Sequence, residues 1–172
     1  MTGLIFIVLI ALLTPGVPFA RSVQPSPQTK ASVEYDKFKN LTTERVTVTA
    51  READSDGPPR IFIEVGFVYP GKKLRTRPRS FFLTMRSFNQ NMRFERVNSF
   101  ITLLDDKRVN LKPMRRSEVR FNSETLTTDL TYGEFVRMVG AKKVEMQVGV
   151  VEFELTGDSL GALREFADRA RP

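Results

Sequence analysis

The sequence predicts an α+β fold that is mainly β: an antiparallel sheet or sandwich with a short helix near residues 131–139 and a C-terminal helix near residues 158–169. Three observations lead to this prediction. Most segments of the chain after residue 34 alternate apolar and polar residues with a period of two, which is typical of strands. Two late segments instead have the spacing of amphipathic helices. The strands come mostly before the helices in the chain, and this order favours an antiparallel sheet.

The first 22 residues have the pattern of a secretory signal peptide. Leu4–Leu13 is an unbroken apolar run of ten residues, which as a helix spans about half of a ~30 Å hydrocarbon core. Pro15 and Pro18 interrupt the run beyond that point, and Ser22 supplies a small residue for cleavage. An uncleaved membrane anchor and a buried N-terminal helix are the alternatives. We therefore expect a secreted or periplasmic protein.

The remaining chain is expected to form one domain. The polar, proline-containing segment 23–33 predicts a flexible leader, and residues 34–172 contain no repeat and no second linker. A domain of this size buries about 68–70% of the surface of its unfolded chain, which is enough for stability without disulfides. The absence of Cys in an exported domain favours a bacterial envelope protein.

Residue composition removes several kinds of chemistry. The chain has no Cys, no His and no Trp. Thiol nucleophiles, disulfides, Ser-His-Asp triads and metal sites built on Cys or His are therefore excluded. We expect a protein that is not an enzyme and that has no cofactor and no metal site.

Alternating segments predict the strands of the sheet. Ile61–Tyr69 is apolar on both faces and predicts a central strand that is covered on both sides. Asp105-Asp106-Lys107 predicts the turn of a hairpin. The other strand predictions are Arg45–Ala50, Ser80–Arg86, the hairpin strands Ser99–Leu104 and Arg108–Leu111, and the weaker candidates Glu118–Phe121 and Thr125–Leu130.

A further long strand is predicted over Val144–Leu155. Apolar residues occupy even positions up to Val150 and odd positions from Val151 onward. A β-bulge near Gly149 would restore the period of two, and a fully buried middle is the alternative.

Two helices follow from capping and periodicity. Thr131 and Glu134 have the spacing of a capping box, and Gly140 predicts the end of that helix. The second helix starts near Asp158 or Ser159 and carries an apolar stripe.

The positive charge of the chain is concentrated in one window. The formal net charge is +7, and residues 72–96 contain eight basic residues against one acid, Glu95, which accounts for the whole excess. Within this window the candidate anion-binding residues are Lys72, Lys73, Arg75, Arg77 and Arg79. If the segment is extended, side chains two residues apart lie roughly 6.6 Å apart on one side.

Such a row of cations fits a repeating anion, and each contact would be sensitive to salt. We expect an anionic lipid, lipopolysaccharide or an acidic polysaccharide as partner, whereas nucleic acid is a poor match for an exported protein. The alternative is that the cations only prevent edge-to-edge aggregation of an exposed strand or loop, or cover apolar surface with their stems.

Three acidic features of the sequence are explained more simply by turns or an ion pair than by a metal or catalytic site. Asp54–Gly57 has the opening spacing of a calcium loop but lacks the later ligands, so a turn is favoured. Asp105 and Asp106 are expected to form a turn rather than a catalytic pair. Glu64 lies in an apolar strand, where it is expected to pair with an Arg or lie on the wetter face; a buried catalytic acid is the alternative.

Tyr35-Asp36-Lys37-Phe38, after the predicted signal peptide, resembles the opening of uncharacterised small secreted bacterial β-rich proteins. That resemblance implies an envelope location and carries no activity and no site residues. We therefore predict an exported, non-enzymatic envelope domain that binds an anionic surface or polymer. The alternatives are a structural module that docks on another envelope protein through its C-terminal helix or a strand edge, and a hydrolase that uses two carboxylates.

Overall fold

A computed structural model of the protein describes residues 29–53, 61–88, 94, 100–120 and 123–172. The predicted signal peptide, most of the predicted leader and the Asp54–Gly57 turn lie outside the described residues. In chain order, the elements are β1 (Lys30–Asp36), β2 (Leu41–Glu52), β3 (Ile61–Pro70), β4 (Ser80–Phe88), β5 (Phe100–Leu104), β6 (Lys107–Asn110), β7 (Arg115–Arg120), β8 (Ser123–Thr131), α1 (Tyr132–Gly140), β9 (Val144–Val148), β10 (Val151–Leu155) and α2 (Gly157–Arg169).

The strands form one antiparallel sheet, which confirms the predicted fold class. Its order is β6-β5-β9-β10-β2-β3-β4-β8-β7. The 12-residue strand β2 pairs with β3 along one edge. Along its other edge it pairs with β1 over residues 41–47 and with β10 over residues 50–52. Strands β3 and β4 therefore lie in the interior of the sheet, with a paired neighbour on each side.

One face of the sheet is buried beneath the two helices. Four aromatic rings link the layers: Phe67 of β3 and Phe81 of β4 lie 5.3 Å apart between ring centroids, Phe81 lies 4.4 Å from Phe135 of α1, and Phe67 lies 5.4 Å from Phe166 of α2. All four side chains are almost fully buried. Alternate residues along the strands supply the rest of the core, as the period of two predicts.

Helix α1 begins with the predicted capping box. The Glu134 N–H donates to Thr131 Oγ1 at 3.2 Å, and the Thr131 N–H donates to Glu134 Oε2 at 2.7 Å. The bond from the Thr131 N–H holds the pKa of Glu134 below its usual value. At the other end, Arg164 of α2 donates to the carbonyl oxygens of Val139 and Ala141, which satisfies groups that a helix end leaves free.

The predicted single strand over residues 144–155 is wrong. Strands β9 and β10 form a hairpin, in which Val148 pairs with Val151 around a two-residue turn of Gly149 and Val150. Gly149 has a φ of +60°, a conformation that glycine adopts without steric cost, and Val150 is 89% exposed. The change of apolar phase at this point therefore marks a reversal of the chain rather than a bulge.

Two further expectations need correction. Strand β1 begins at Lys30 and pairs residues 30–33 with β2, so the end of the predicted flexible leader is part of the sheet. Strand β3 is buried on one face only, because Phe62 is partly exposed and Val68 is 48% exposed on the other.

We predict that Thr131→Ala lowers the free energy of unfolding by about 1 kcal/mol, because the first turn of α1 loses its side-chain cap. Urea denaturation measures this loss. Thr76→Ala is the control, since Thr76 is exposed and makes no side-chain hydrogen bond in the described chain; it should change stability by less than about 0.5 kcal/mol. Equal losses in the two variants would contradict the role of the cap.

The Glu134 carboxylate of the capping box predicts that the free energy of unfolding depends on pH. Because folding lowers the pKa of Glu134, its contribution is fully present above the ordinary value of 4.5 and is lost as pH falls through the lower folded value. Glu134→Gln should therefore be less stable than the wild type at neutral pH, and the difference should shrink in acid. Denaturation midpoints measured across this range would refute the assignment if the difference grew as pH fell.

Candidate functional site

The five cations that the sequence singles out lie on the loop between β3 and β4. We call residues 71–79 the basic loop. Its backbone bends at residues 71–73 and again at Thr76, so it is not the regular extended row considered above. Leu74 packs partly buried against the core and Pro78 is buried. The side chains of all five cations face solvent, namely those of Lys72, Lys73, Arg75, Arg77 and Arg79.

None of these five cations forms an ion pair with an acid anywhere in the part of the chain that the structure describes. The other described basic residues include several with such partners, for example Lys143, whose Nζ lies 2.8 Å from Glu145 Oε1. The bond to Glu145 also raises the pKa of Lys143. Among the described acids, none neutralises the charge of the basic loop by direct contact.

Backbone hydrogen bonds fix both ends of the basic loop. At the first end, the Gly71 N–H donates to the carbonyl oxygen of Asn40 at 2.8 Å, and the Thr42 hydroxyl donates to the Gly71 carbonyl oxygen. Gly71 has a φ of +74°, which favours glycine at this position. At the other end, the Tyr132 N–H donates to the Arg79 carbonyl oxygen at 3.2 Å. The basic loop is therefore tied to the β1–β2 turn and to the start of α1.

Aromatic rings hold two of the cations in place. Lys72 Nζ lies 5.1 Å from the centroid of the Tyr35 ring, and the Arg77 guanidinium lies 4.7 Å from that of Tyr132. Such contacts restrict a cation without cancelling its charge. These contacts favour particular orientations of the two side chains in the absence of an anion.

An open groove of about 580 Å³ lies beside the basic loop on the outer face of the sheet. Val68 and Phe82 are among its apolar lining residues, Arg77 and Arg79 contribute cations, and Asp129 is an acid in the lining. The groove therefore offers apolar surface next to two guanidinium groups. That combination suits a ligand that is both anionic and partly apolar.

The β1–β2 turn adds cations that the sequence analysis did not include. Lys37 and Lys39 lie on either side of Phe38, in a turn that the Gly71–Asn40 hydrogen bond places next to the basic loop. Phe38 is 90% exposed. The signal in the sequence is a large apolar residue between two lysines. Its proximity to the basic loop could not be inferred, because Asn40 and Gly71 are distant in the chain.

The acidic features of the sequence have structural roles. Asp105 and Asp106 form the predicted hairpin turn, with φ values of 50° and 63°. Asp105 Oδ1 accepts hydrogen bonds from the N–H groups of Lys142 and Lys143, at 2.8 and 2.9 Å. Glu64 lies on the partly exposed outer face of β3, and its Oε1 lies 4.0 Å from Arg45 Nη1. Both observations agree with the predictions of a turn at Asp105 and Asp106 and of an Arg partner for Glu64.

A second groove, of about 520 Å³, brings together carboxylates that the sequence did not connect. It lies over β5, β9, β10 and β2, where Glu145 and Glu154 occupy paired positions. Lys143 binds Glu145, and the Gln147 side-chain amide donates to Glu152 at 2.8 Å, so two of its carboxylates are engaged in structural contacts. Among the described residues, no group of three or more Asp and Glu side chains is arranged to hold a metal ion.

Gly66 makes room for the apolar floor of the groove beside the basic loop. A Cβ atom at residue 66 would lie 2.2 Å from Phe82 Cζ and 2.7 Å from the Glu44 carbonyl oxygen. We therefore predict that Gly66→Ala lowers the free energy of unfolding by about 1–3 kcal/mol. Gly161→Ala, in the middle of α2 with open space around it, should instead raise it, by up to about 1 kcal/mol. Urea denaturation of both variants tests this, and an unchanged or more stable Gly66→Ala would contradict the packing.

No helix in the described ranges is long and apolar enough to cross a membrane. Comparisons with protein-family models, with curated proteins and with solved structures give no match. The resemblance to small secreted bacterial β-rich proteins therefore stays a prediction.

Proposed function

We propose that the protein is an exported, non-enzymatic envelope domain that binds an anionic surface or polymer through the basic loop. One observation carries this proposal. Five exposed cations lie on a loop that is fixed at both ends, and none of them has an acidic partner among the described residues. Anionic lipid, lipopolysaccharide and acidic polysaccharide share the phosphate or carboxylate groups that such a loop would contact.

The position of the loop in the sheet keeps protection of a strand edge as an alternative to anion binding. Basic residues guard sheets most usefully on edge strands, whose unpaired N–H and C=O groups invite aggregation. The basic loop joins β3 to β4, whose mutual pairing ends at Gly66 and Phe82, so residues 67–70 of β3 pair with β2 alone among the described residues. These four residues leave a short strand edge beside the basic loop, and guarding that edge is one use of its cations.

The residue types in the basic loop also favour anion binding. Arg75, Arg77 and Arg79 carry planar guanidinium groups, which form paired hydrogen bonds with phosphate and carboxylate oxygens. At physiological ionic strength, salt screens the attraction between exposed charges beyond about 8 Å. Each cation therefore contributes only when it is close to the anion, and strong binding needs several such contacts at once. Lys37 of the neighbouring turn adds a further cation, whereas Lys39 Nζ lies 3.6 Å from Asp36 Oδ2 in an exposed ion pair. The expected binding is multivalent and strongly weakened by salt.

The other functions remain alternatives. Docking on another envelope protein is supported by β1, whose outer edge has no partner in the described part of the sheet. Docking through α2 has less support, because Leu163 and Phe166 of its apolar stripe are buried in the core. Hydrolysis by two carboxylates is weakened by the structural contacts of Glu145 and Glu152.

Neutralising the basic loop tests the proposal. We predict that the combined change Lys73→Gln, Arg75→Gln, Arg77→Gln and Arg79→Gln lowers the affinity for anionic probes. A cation near an anionic surface contributes about 1 kcal/mol, so the loss should reach up to about 10³-fold. Vesicles of phosphatidylglycerol and phosphatidylcholine, lipopolysaccharide, and heparin resin are the probes, each measured at low and at high salt.

A control variant changes the same number and kind of charges elsewhere. It replaces four exposed residues outside the basic loop by Gln, namely Lys107, Arg108, Arg137 and Arg169. Both variants must retain the cooperative unfolding transition of the wild type. Equal losses in the two variants would mean that only net charge matters. A wild-type protein that none of the three probes retains at low salt would overturn the proposal.

A further inference from the structure

Phe38 is the most conspicuous apolar group outside the core. It is 90% exposed at the tip of the β1–β2 hairpin. Among the described residues, no other aromatic ring contacts it, and its one ring contact is with Lys37, whose Nζ lies 5.0 Å from the ring centroid. A fully exposed phenylalanine has a large driving force to leave water.

The turn that carries Phe38 is held in one conformation. Asp36 Oδ1 accepts hydrogen bonds from the N–H groups of Phe38, at 2.9 Å, and Lys39, at 3.1 Å. Asn40 has a φ of 52°, and its Oδ1 accepts a hydrogen bond from the Tyr35 hydroxyl at 3.0 Å. The exposure of Phe38 is thus built into a hydrogen-bonded turn, which presents the ring at its tip.

Cations lie near this exposed ring. Lys37 and Lys39 lie on either side of it in the chain, and Lys39 pairs with Asp36 at 3.6 Å between Nζ and Oδ2. The basic loop begins beside the turn through the hydrogen bond between Gly71 and Asn40. Lys72 reaches back over the Tyr35 ring of the same hairpin. Val150, which is 89% exposed at the tip of the β9–β10 hairpin, offers a comparison, because Gly149 and Val151 flank it instead of lysines.

We propose that Phe38 inserts into the headgroup region of an anionic phospholipid membrane while the basic loop binds its phosphates. This inference rests on the proposed function and selects a lipid bilayer as the anionic partner. A soluble acidic polymer satisfies the cations but provides no apolar phase for the ring. A bilayer provides both, and an apolar anchor combined with a basic patch is the two-part signal that holds peripheral proteins on membranes.

The absence of Trp from the sequence makes a direct test available. Phe38→Trp places a single Trp at the tip, and its emission reports the polarity of its surroundings. With vesicles of phosphatidylglycerol and phosphatidylcholine, we expect a blue shift and protection from acrylamide quenching. Val150→Trp is the matched control and should show neither change. Heparin should bind Phe38→Trp without a shift, and phosphatidylcholine vesicles alone should have no effect.

A second variant measures the contribution of the ring. Phe38→Ser should lower the affinity for the anionic vesicles by about tenfold or more and leave the affinity for heparin within about twofold. Vesicle binding without a blue shift of Phe38→Trp would overturn the insertion and leave the proposed function intact. Binding of the wild type to heparin but not to vesicles would likewise overturn the insertion and leave the proposed function intact.

Two other results would also overturn the insertion. A blue shift that grows with protein concentration in the absence of vesicles would mean that Phe38 packs against a second copy of the chain. Failure of the wild type to bind vesicles, lipopolysaccharide or heparin at low salt would remove the proposed function together with this inference.

Discussion

Four aromatic rings hold the two helices against the buried face of the sheet. Phe67 and Phe81 leave β3 and β4 on the buried face and pack against Phe135 of α1 and Phe166 of α2. Burial of such rings is the largest favourable contribution that single side chains make to a core. Because these two strands carry the basic loop, the packing of their rings sets where that loop begins and ends.

This arrangement explains how the protein can hold like charges together. Five cations repel one another, and the repulsion alone would favour a loop that spreads into solvent. Leu74 and Pro78 oppose it by packing inward, and the hydrogen bonds of Gly71 and Arg79 tie the loop to two other parts of the fold. The stability of the buried core is thus used to maintain a charged surface that contributes nothing to that core.

Local patterns in the sequence predicted the elements well, and contacts between distant residues escaped prediction. The capping box at Thr131 and the alternation along β3 follow from a few neighbouring residues. The change of phase at Val150 fits both a bulge and a tight turn, and only the pairing of Val148 with Val151 distinguishes them. The charge distribution along the sequence identifies the cations of the basic loop. The turn at Asn40 lies beside them only because of the tertiary structure, through the hydrogen bond between Gly71 and Asn40.

The proposed function requires the basic loop to be held in one arrangement before it meets an anion. Native-state hydrogen exchange of the Gly71 and Tyr132 amides tests it most directly, because these two N–H groups close the ends of the loop. We predict opening free energies close to that of global unfolding, as for amides in the central strands. Exchange of both amides at the rate of an unfolded peptide, while β3 and β4 stay protected, would contradict the claim.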